Sequence, residues 1–284
     1  MRDASPREAP AATHAGWEAR LELAYRRDGP RTVLDRRHSG PLLVQKPLYP
    51  EGGAVCQSIV VHPPGGIAGG DRLMLEARVG PQARAQLTTP AASKWYRTTG
   101  APAQQTLRLS AEDGAILEWL PQEGIVFAGA IADLATDISL ADDAVFLGWD
   151  IVCLGRRLAG ERWTQGRLRH DFALRRGGRR QWVERTALSG GSELLAARVG
   201  LGARTVFGTF LASAASVPDD LVSSCRAVDC DDGDAAVTRL PGVLLARYRG
   251  DSAEAARDYF AALWARARPA LAGMSAVAPR IWNT

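Results

Sequence analysis

A two-residue period in hydrophobicity runs through much of this chain and constrains its fold more than any other feature. From Trp17 to Tyr25, every second side chain is apolar and most of those between are charged. This alternation is typical of a β-strand with one buried face. Glycine and proline separate most of the later strand-like runs, so we predict a mainly β fold. Those runs are Ser58–Val61, Leu73–Val79, Gln86–Thr89, Gln105–Leu109, Ile116–Leu120 and Val145–Leu154.

A faint internal repeat indicates how these strands are arranged. Residues 79–87 align with residues 109–117 and then with residues 138–146, at spacings of 30 and 29 residues. Each unit reads as a strand, a polar turn, a small alanine and a second strand. A period of this size predicts stacked β-strands of β-helix-like (solenoid) or layered-sheet character. The alternative is an ordinary sandwich in which hairpins of similar length recur.

One α-helix is predicted near the C-terminus. Asp251 and Glu254 have the spacing of a capping box, and apolar residues then recur on one face between Tyr259 and Ala267. Arg266 and Arg268 fall in the predicted last turn, where positive charge complements the helix dipole. We expect Pro269 to end the helix.

Composition limits the class of protein and its partners. The chain has 35 basic and 31 acidic residues and no basic block interleaved with aromatic residues, so we expect no nucleic-acid partner. Four scattered cysteines do not form a disulfide framework, which favours a reducing compartment. No apolar run has the features of a signal peptide or a membrane span. We therefore expect a cytoplasmic protein with a disordered tail at residues 1–16 and a single β-rich domain at residues 17–284.

The glycine-rich segment at residues 62–71 resembles a nucleotide loop until its last residue. A phosphate-binding loop of the Walker type needs Lys followed by Ser or Thr after the final glycine, but Asp71 and Arg72 stand there. A carboxylate at the edge of this turn suits a cation or a partner's arginine better than a phosphate. We therefore expect no nucleotide to be bound by this chain.

Residues suited to catalysis are scarce, whereas carboxylates in apolar surroundings are common. With four histidines, no nucleophile elbow and no zinc-ligand pair, the sequence offers little for a serine, cysteine or zinc-dependent catalytic site. A buried carboxylate needs a partner, ordinarily an arginine. Several carboxylates around a wet cavity would instead form a path for a divalent cation. The candidates are Asp71, Glu118, Glu123, Asp150 and Glu184.

Five ordered blocks of this sequence resemble the UreD family of urease accessory proteins, called UreH in some bacteria. The blocks lie at residues 40–52, 62–71, 88–97, 117–123 and 148–156, and the resemblance extends from about Trp17 to Trp282. The sequence departs from the family pattern at Gly124 and Ala128. The resemblance implies a β-rich stacked fold and a non-catalytic maturation factor. Such a factor binds the urease apoprotein and joins UreF and the GTPase UreG to deliver nickel, with GTP hydrolysed by the partner.

A protein that delivers nickel must hold the ion loosely. Carboxylates, hydroxyls and water bind Ni²⁺ weakly enough to release it, whereas clustered thiolates would trap it. We predict that Asp71, Ser93, Asp150 and Glu184 line an internal route for transient Ni²⁺, with Cys153 nearby but not binding tightly. The alternative is a β-solenoid hydrolase or lyase that acts on saccharides through paired carboxylates such as Asp150 and Glu184.

Two segments are candidates for contact with partner proteins. Residues 94–97 combine charges with aromatic rings, a composition typical of interface hot spots, although a strand with a buried tryptophan fits equally well. The residues concerned are Lys94, Trp95, Tyr96 and Arg97. At the chain end, Ile281 and Trp282 either pack internally or contact UreF.

Overall fold

Two β-sheets form the body of the protein, and the computed structural model describes residues 16–283. The strands in the first half of the chain are β1 (Glu18–Asp28), β2 (Arg31–Ser39), β3 (Leu43–Val44), β4 (Val55–Val61), β5 (Arg72–Val79), β6 (Arg84–Thr88), β7 (Ser93–Trp95), β8 (Ala103–Ala111), β9 (Ile116–Leu120) and β10 (Gly124–Val126). Those in the second half are β11 (Ile131–Leu140), β12 (Val145–Leu154), β13 (Arg167–Arg176), β14 (Arg179–Ser189), β15 (Val206–Ser213), β16 (Asp234–Leu240) and β17 (Val243–Gly250). The helices are α1 (Glu193–Ala196), α2 (Asp219–Arg226) and α3 (Ala253–Ala272), with 3₁₀ turns at Arg157–Ala159 and Arg280–Asn283.

The chain alternates between the two sheets, so successive coils stack on one another. One sheet has the order β14-β13-β11-β8-β5-β1-β2, and the path of the other runs β16-β17-β15-β12-β9-β6-β4-β3. Strands β5, β8 and β11 pair in parallel in the first sheet, and β6, β9 and β12 do so in the second. Each coil therefore gives one strand to each sheet. The predicted mainly β fold with solenoid-like stacking is confirmed, and antiparallel hairpins close both edges of the first sheet.

The pairing register explains the sequence repeat. Leu109 pairs with Ile138 and Leu117 with Phe146, which is the alignment that the spacing of 29 predicted. In the preceding coil, Leu109 pairs with Ala77, two residues before the Val79 that the sequence alignment placed opposite it. Because side chains alternate with a period of two, a two-residue shift leaves every side chain on its predicted face.

A short third side links the coils at one place. Strand β10 pairs in parallel with both β7 and β12, and Ile67 forms a bridge to Trp95 at the end of β7. The glycine-rich segment thus continues this small third side through Ile67. The side covers part of the space between the two large sheets.

Two hydrophobic cores share strand β12. Phe146 and Val152 belong to the core between the sheets, whereas Leu147 and Ile151 belong to a second core beneath α2 and α3. Strand β12 is consequently buried on both faces, which accounts for its nearly unbroken apolar sequence. The same alternation places Asp150, between Gly148 and Val152 in the pleat, on the face that looks toward the other sheet.

Helix α3 forms as predicted, but both of its ends differ from the prediction. Ser252 caps it by accepting a hydrogen bond from the backbone N–H of Ala255, while Asp251 accepts hydrogen bonds from Thr205. Pro269 lies inside the last turn, and the helix ends at Gly273, whose φ of 64° suits a glycine. The predicted capping box and the predicted stop at Pro269 are therefore wrong. The turn around Pro269 is held by Arg268, whose side chain is buried.

Arg268 joins α3 to the sheet through a buried ion cluster. Its side chain is 0% exposed and contacts Glu118 at 3.0 Å and Glu51 at 2.6 Å. Trp264, one turn earlier, donates from Nε1 to Glu118 at 2.6 Å. Burial raises the pKa of Glu118, and the guanidinium and indole donors act against that rise. The prediction that Arg266 and Arg268 lie in the last turn and complement the dipole is wrong, because the helix continues to Ala272 and Arg268 binds carboxylates of the sheet and of a loop.

The cluster extends across three neighbouring strands as a polar ladder. Gln57, Gln86 and Glu118 are register partners on β4, β6 and β9. Gln57 donates to Gln86 at 2.6 Å, and Gln86 donates to Glu118 at 3.1 Å. Stacked coils thus place three polar side chains in line, and each of them finds a partner inside an apolar core.

The C-terminal tail, a predicted partner contact, packs against the interior of the protein. Trp282 lies against Trp149 and Trp264, with ring centroids 5.6 and 6.0 Å apart, and donates from Nε1 to Thr88 at 2.9 Å. Of the two alternatives for the C-terminal tail, the structure has the internal one. The predicted tail at residues 1–16 lies, apart from Gly16, outside the described residues. In the described part of the chain, no helix is both long and apolar enough to cross a membrane.

Replacing Arg268 tests the ion cluster. We expect Arg268→Met to lower the free energy of unfolding by about 3–5 kcal/mol, because it leaves Glu118 and Glu51 without their buried cation. Urea denaturation measures the change. Arg266→Met, at an exposed position of the same helix, is the control and should change it by less than about 0.5 kcal/mol. Equal unfolding midpoints for Arg268→Met and the parent chain would contradict a stabilising role.

Candidate functional site

The glycine-rich segment forms a tight turn that Asp71 closes. The two carboxylate oxygens of Asp71 accept hydrogen bonds of 2.8 Å from the backbone N–H groups of Trp17 and Ala68. Gly66 allows the segment to lie against Tyr96, since a Cβ atom there would stand 2.2 Å from the tyrosine ring. Asp71 is 8% exposed and serves to fix the turn.

A cavity of about 210 Å³ lies between the sheets beside this turn. Its walls are mostly apolar, and the polar side chains among them include His62, Ser93, Thr136, Asp150 and His170. Burial lowers the pKa of His62, and the charge of Asp71 acts against this effect. The neutral imidazole is therefore favoured at His62.

Two further spaces adjoin the large cavity. A smaller one of about 50 Å³ shares Thr136, Asp150 and His170 with it and reaches Glu184. A surface hollow of about 380 Å³ shares Thr136 and Glu184 with the smaller cavity and is bordered by Asp137 and by exposed charged residues. The three spaces are therefore neighbours, with the largest beside the glycine-rich turn and the hollow at the protein surface.

The predicted route residues do not all lie along these spaces. Ser93 lines the large cavity, Asp150 lines the large and the small cavity, and Glu184 lines the small cavity and the surface hollow. Asp71 lines none of the three. The structure thus brings Ser93, Asp150 and Glu184 to adjoining spaces and leaves Asp71 in the turn beside them.

Asp150 pairs with a histidine that the sequence interpretation missed. His170 on β13 places Nδ1 3.2 Å from a carboxylate oxygen of Asp150, and its Nε2 lies 3.0 Å from the hydroxyl oxygen of Thr136. Burial lowers the pKa of His170, but the hydrogen bond and charge of Asp150, with Glu184 and Asp171 beyond, outweigh burial and raise it. A sequence signal existed, because the pleat places His170 between inward-facing Leu168 and Phe172.

Glu184 is held by an arginine from the other sheet. Arg247 on β17 binds both of its oxygens, at 2.6 and 2.7 Å, and also donates to Thr209 at 3.1 Å. The pair links β14 to β17 across the space between the sheets. Asp150 and Glu184 therefore have separate basic partners, and Glu184 has both oxygens engaged.

The structure offers few ligands for a tightly held metal ion. Among residues 16–283, no three His, Cys, Asp or Glu side chains form a group that would hold one ion. Burial, with a smaller contribution from the charge of Glu123, raises the pKa of Cys153 to about 12. Cys153 is consequently a neutral thiol near neutral pH.

Only part of the predicted partner surface is exposed. Lys94, Tyr96 and Arg97 lie at the surface, and the Tyr96 ring meets Phe127 edge to face at 5.3 Å. Trp95 is 2% exposed and belongs to the core between the sheets. The prediction of Trp95 as a partner contact is therefore corrected. The alternation of β7 turns this side chain inward between two outward neighbours.

Comparison with known proteins gives one consistent result. The family model described as UreD urease accessory protein matches residues 17–283. The chain is 50% identical over 274 residues to the urease accessory protein UreD of Azoarcus sp. strain BH72, covering 96% of each chain. It is 52% identical over 269 residues to UreD of Nitrosococcus oceani, covering 94% of this chain and 90% of that one. UreD of Pseudomonas aeruginosa is 50% identical over 273 residues, covering 95% and 96%. The chain therefore belongs to the UreD family of urease accessory proteins.

Proposed function

We propose that this protein is a urease maturation factor of the cytoplasm, without catalytic activity of its own. In this proposal it binds the urease apoprotein and acts with UreF and the GTPase UreG in the insertion of nickel into urease. Membership of a family named for urease accessory proteins supports the role. The observation that carries the nickel proposal is the series of adjoining spaces along which Ser93, Asp150 and Glu184 lie.

The side chains along these spaces suit an ion in transit. With association near ~10⁷ M⁻¹s⁻¹, a site of nanomolar affinity would hold an ion for roughly 100 s. A hydroxyl and separated carboxylates bind Ni²⁺ far less tightly than a cage of thiolates does. Nickel is therefore a transient cargo of this chain, held at each position by few protein ligands and by water.

The energy for the process comes from a partner in this proposal. The glycine-rich segment carries Asp71 where a phosphate-binding loop has Lys, and its carboxylate bonds to two backbone N–H groups. A phosphate placed beside this carboxylate would be repelled. Nucleotide binding and GTP hydrolysis are accordingly assigned to UreG.

Complementation tests the proposed role. We expect cells that lack this protein to produce urease with little nickel and little activity, and expression of the chain to restore both. Nickel per active site in purified urease is the measurement. Fully metallated urease from the deletion strain would contradict the role. Turnover of a glycan by the purified chain would favour the saccharide hydrolase or lyase instead.

Narrowing the large cavity tests the internal route. Ser93→Leu adds bulk to its lining, so we expect several-fold less nickel per urease active site at an unchanged yield of the accessory complex. Ser139→Leu makes the same change at an exposed position on the outer face of β11 and is the matched control. Normal nickel loading with Ser93→Leu would show that the ion does not pass this way.

Partner proteins are proposed to bind beside the glycine-rich turn. Lys94, Tyr96 and Arg97 form an exposed group of an aromatic ring with two cations, a combination enriched in interface hot spots. The predicted UreF contact through Ile281 and Trp282 is not part of this surface, because Trp282 packs against Trp149 and Trp264.

Removing the ring of Tyr96 tests the first of these surfaces. We expect Tyr96→Ala to weaken binding to UreF or to urease by about 2 kcal/mol, or roughly 30-fold, since hot-spot residues have effects of this size. Titration of the chain against each purified partner gives the dissociation constants. Leu158→Ala, at a fully exposed apolar side chain of the first 3₁₀ turn, is the control. Unchanged affinity of Tyr96→Ala for both partners would remove this surface from the proposal.

A further inference from the structure

His170 occupies the junction of the two internal cavities. It lines both of them, together with Asp150 and Thr136, and its side chain is 13% exposed. It lies on β13 of one sheet, while Asp150 lies on β12 of the other. An ion that moves between the cavities would pass the imidazole ring.

The two hydrogen-bond partners of the ring determine which nitrogen carries the proton and which has the lone pair. An ionised carboxylate only accepts hydrogen bonds, so the Nδ1 that faces Asp150 carries a proton. The lone pair of the neutral ring then resides on Nε2, where the Thr136 hydroxyl lies at 3.0 Å. That hydroxyl can turn toward another acceptor. A carboxylate at one nitrogen and a metal at the other is the usual arrangement of metal-binding histidines.

The surrounding charge favours a cation at this junction. Asp150 contacts the ring and has no ion pair with an arginine among those found in residues 16–283. Arg247, in contrast, already compensates the charge of Glu184.

We propose that Nε2 of His170 is a transient ligand for divalent transition-metal cations, Ni²⁺ in the first place, and that Asp150 positions the ring. The proposal rests on the proposed nickel route and names the residue that distinguishes transition-metal cations from other divalent cations. Asp150 acts through His170 and need not itself bind the metal.

The selectivity follows from the type of ligand. Imidazole nitrogen suits nickel, zinc and copper, whereas Mg²⁺ and Ca²⁺ prefer oxygen ligands. The predicted route residues Ser93, Asp150 and Glu184 offer only oxygen atoms, so His170 adds a preference that they lack. With one nitrogen, one nearby hydroxyl and water, the site remains weak enough to release the ion.

Histidine NMR tests the site in the full chain without urease. The sequence has four histidines, so the ring resonances of a ¹⁵N-histidine sample can be assigned by single substitutions. At mildly alkaline pH we expect His170 to show the Nδ1-protonated tautomer. Its resonances should broaden at lower Ni²⁺ concentrations than those of exposed His38, and Mg²⁺ in large excess should leave them unchanged. Asp150→Asn should raise the midpoint nickel concentration for His170 by about 10–100-fold.

Exposed His38 provides the control for this experiment. His38→Gln should leave the response of His170 to nickel as it is in the parent chain. A response of His170 no earlier than that of His38, or an unchanged midpoint in Asp150→Asn, overturns the proposal. If His170 binds nickel but His170→Gln and Ser93→Leu both support normal nickel loading of urease, the site stands and the route fails. If Ser93→Leu impairs nickel loading of urease while the His170 resonances do not respond to nickel, the route stands and this proposal fails.

Discussion

Parallel stacking of coils in fixed register is the constraint on which the structure depends. Each strand of a central coil must pair with a neighbour on both sides, so equivalent positions of successive coils lie in line. A polar side chain in such a line is acceptable only when its neighbours satisfy it. Gln57, Gln86 and Glu118 meet this condition. At the end of the ladder, the buried guanidinium of Arg268 from α3 compensates the carboxylate of Glu118. The helix is thereby tied to the sheet at a specific turn.

The space between the sheets is kept partly open by charged groups that belong to opposite sheets. Asp150 with His170 and Glu184 with Arg247 each connect the two sheets, and the cavities lie around these pairs. Charged side chains need partners and water, so they do not pack as densely as the leucines elsewhere in the core. Gly148, next to Asp150 on the same face, lets the Phe146 ring pack directly against the strand, since a Cβ there would stand 2.6 Å from that ring.

The strands were predictable because their signal is local, whereas the site depends on long-range contacts. Alternation fixed the faces of β5, β8 and β9, and even a two-residue error in the repeat left those faces correct. The cap at Ser252 was missed because Asp251 instead binds Thr205 of a distant strand end, and the continuation through Pro269 was missed because Arg268 is buried against distant Glu118. His170 was missed for a related reason. The role of a single histidine becomes evident only when the fold is known, because Asp150, twenty residues earlier, faces it from the other sheet.

The same contacts separate the roles of the acidic residues that looked alike in the sequence. Asp71 has both oxygens on backbone N–H groups, Glu118 is enclosed with Arg268, and Glu184 is neutralised by Arg247. Asp150 alone among these four combines a cavity position with a partner, His170, that can be neutral. Under the proposed function, a divalent cation therefore meets its strongest attraction beside Asp150. In the same proposal, Arg247 compensates the charge of Glu184, so little negative charge beyond Asp150 would retain the ion.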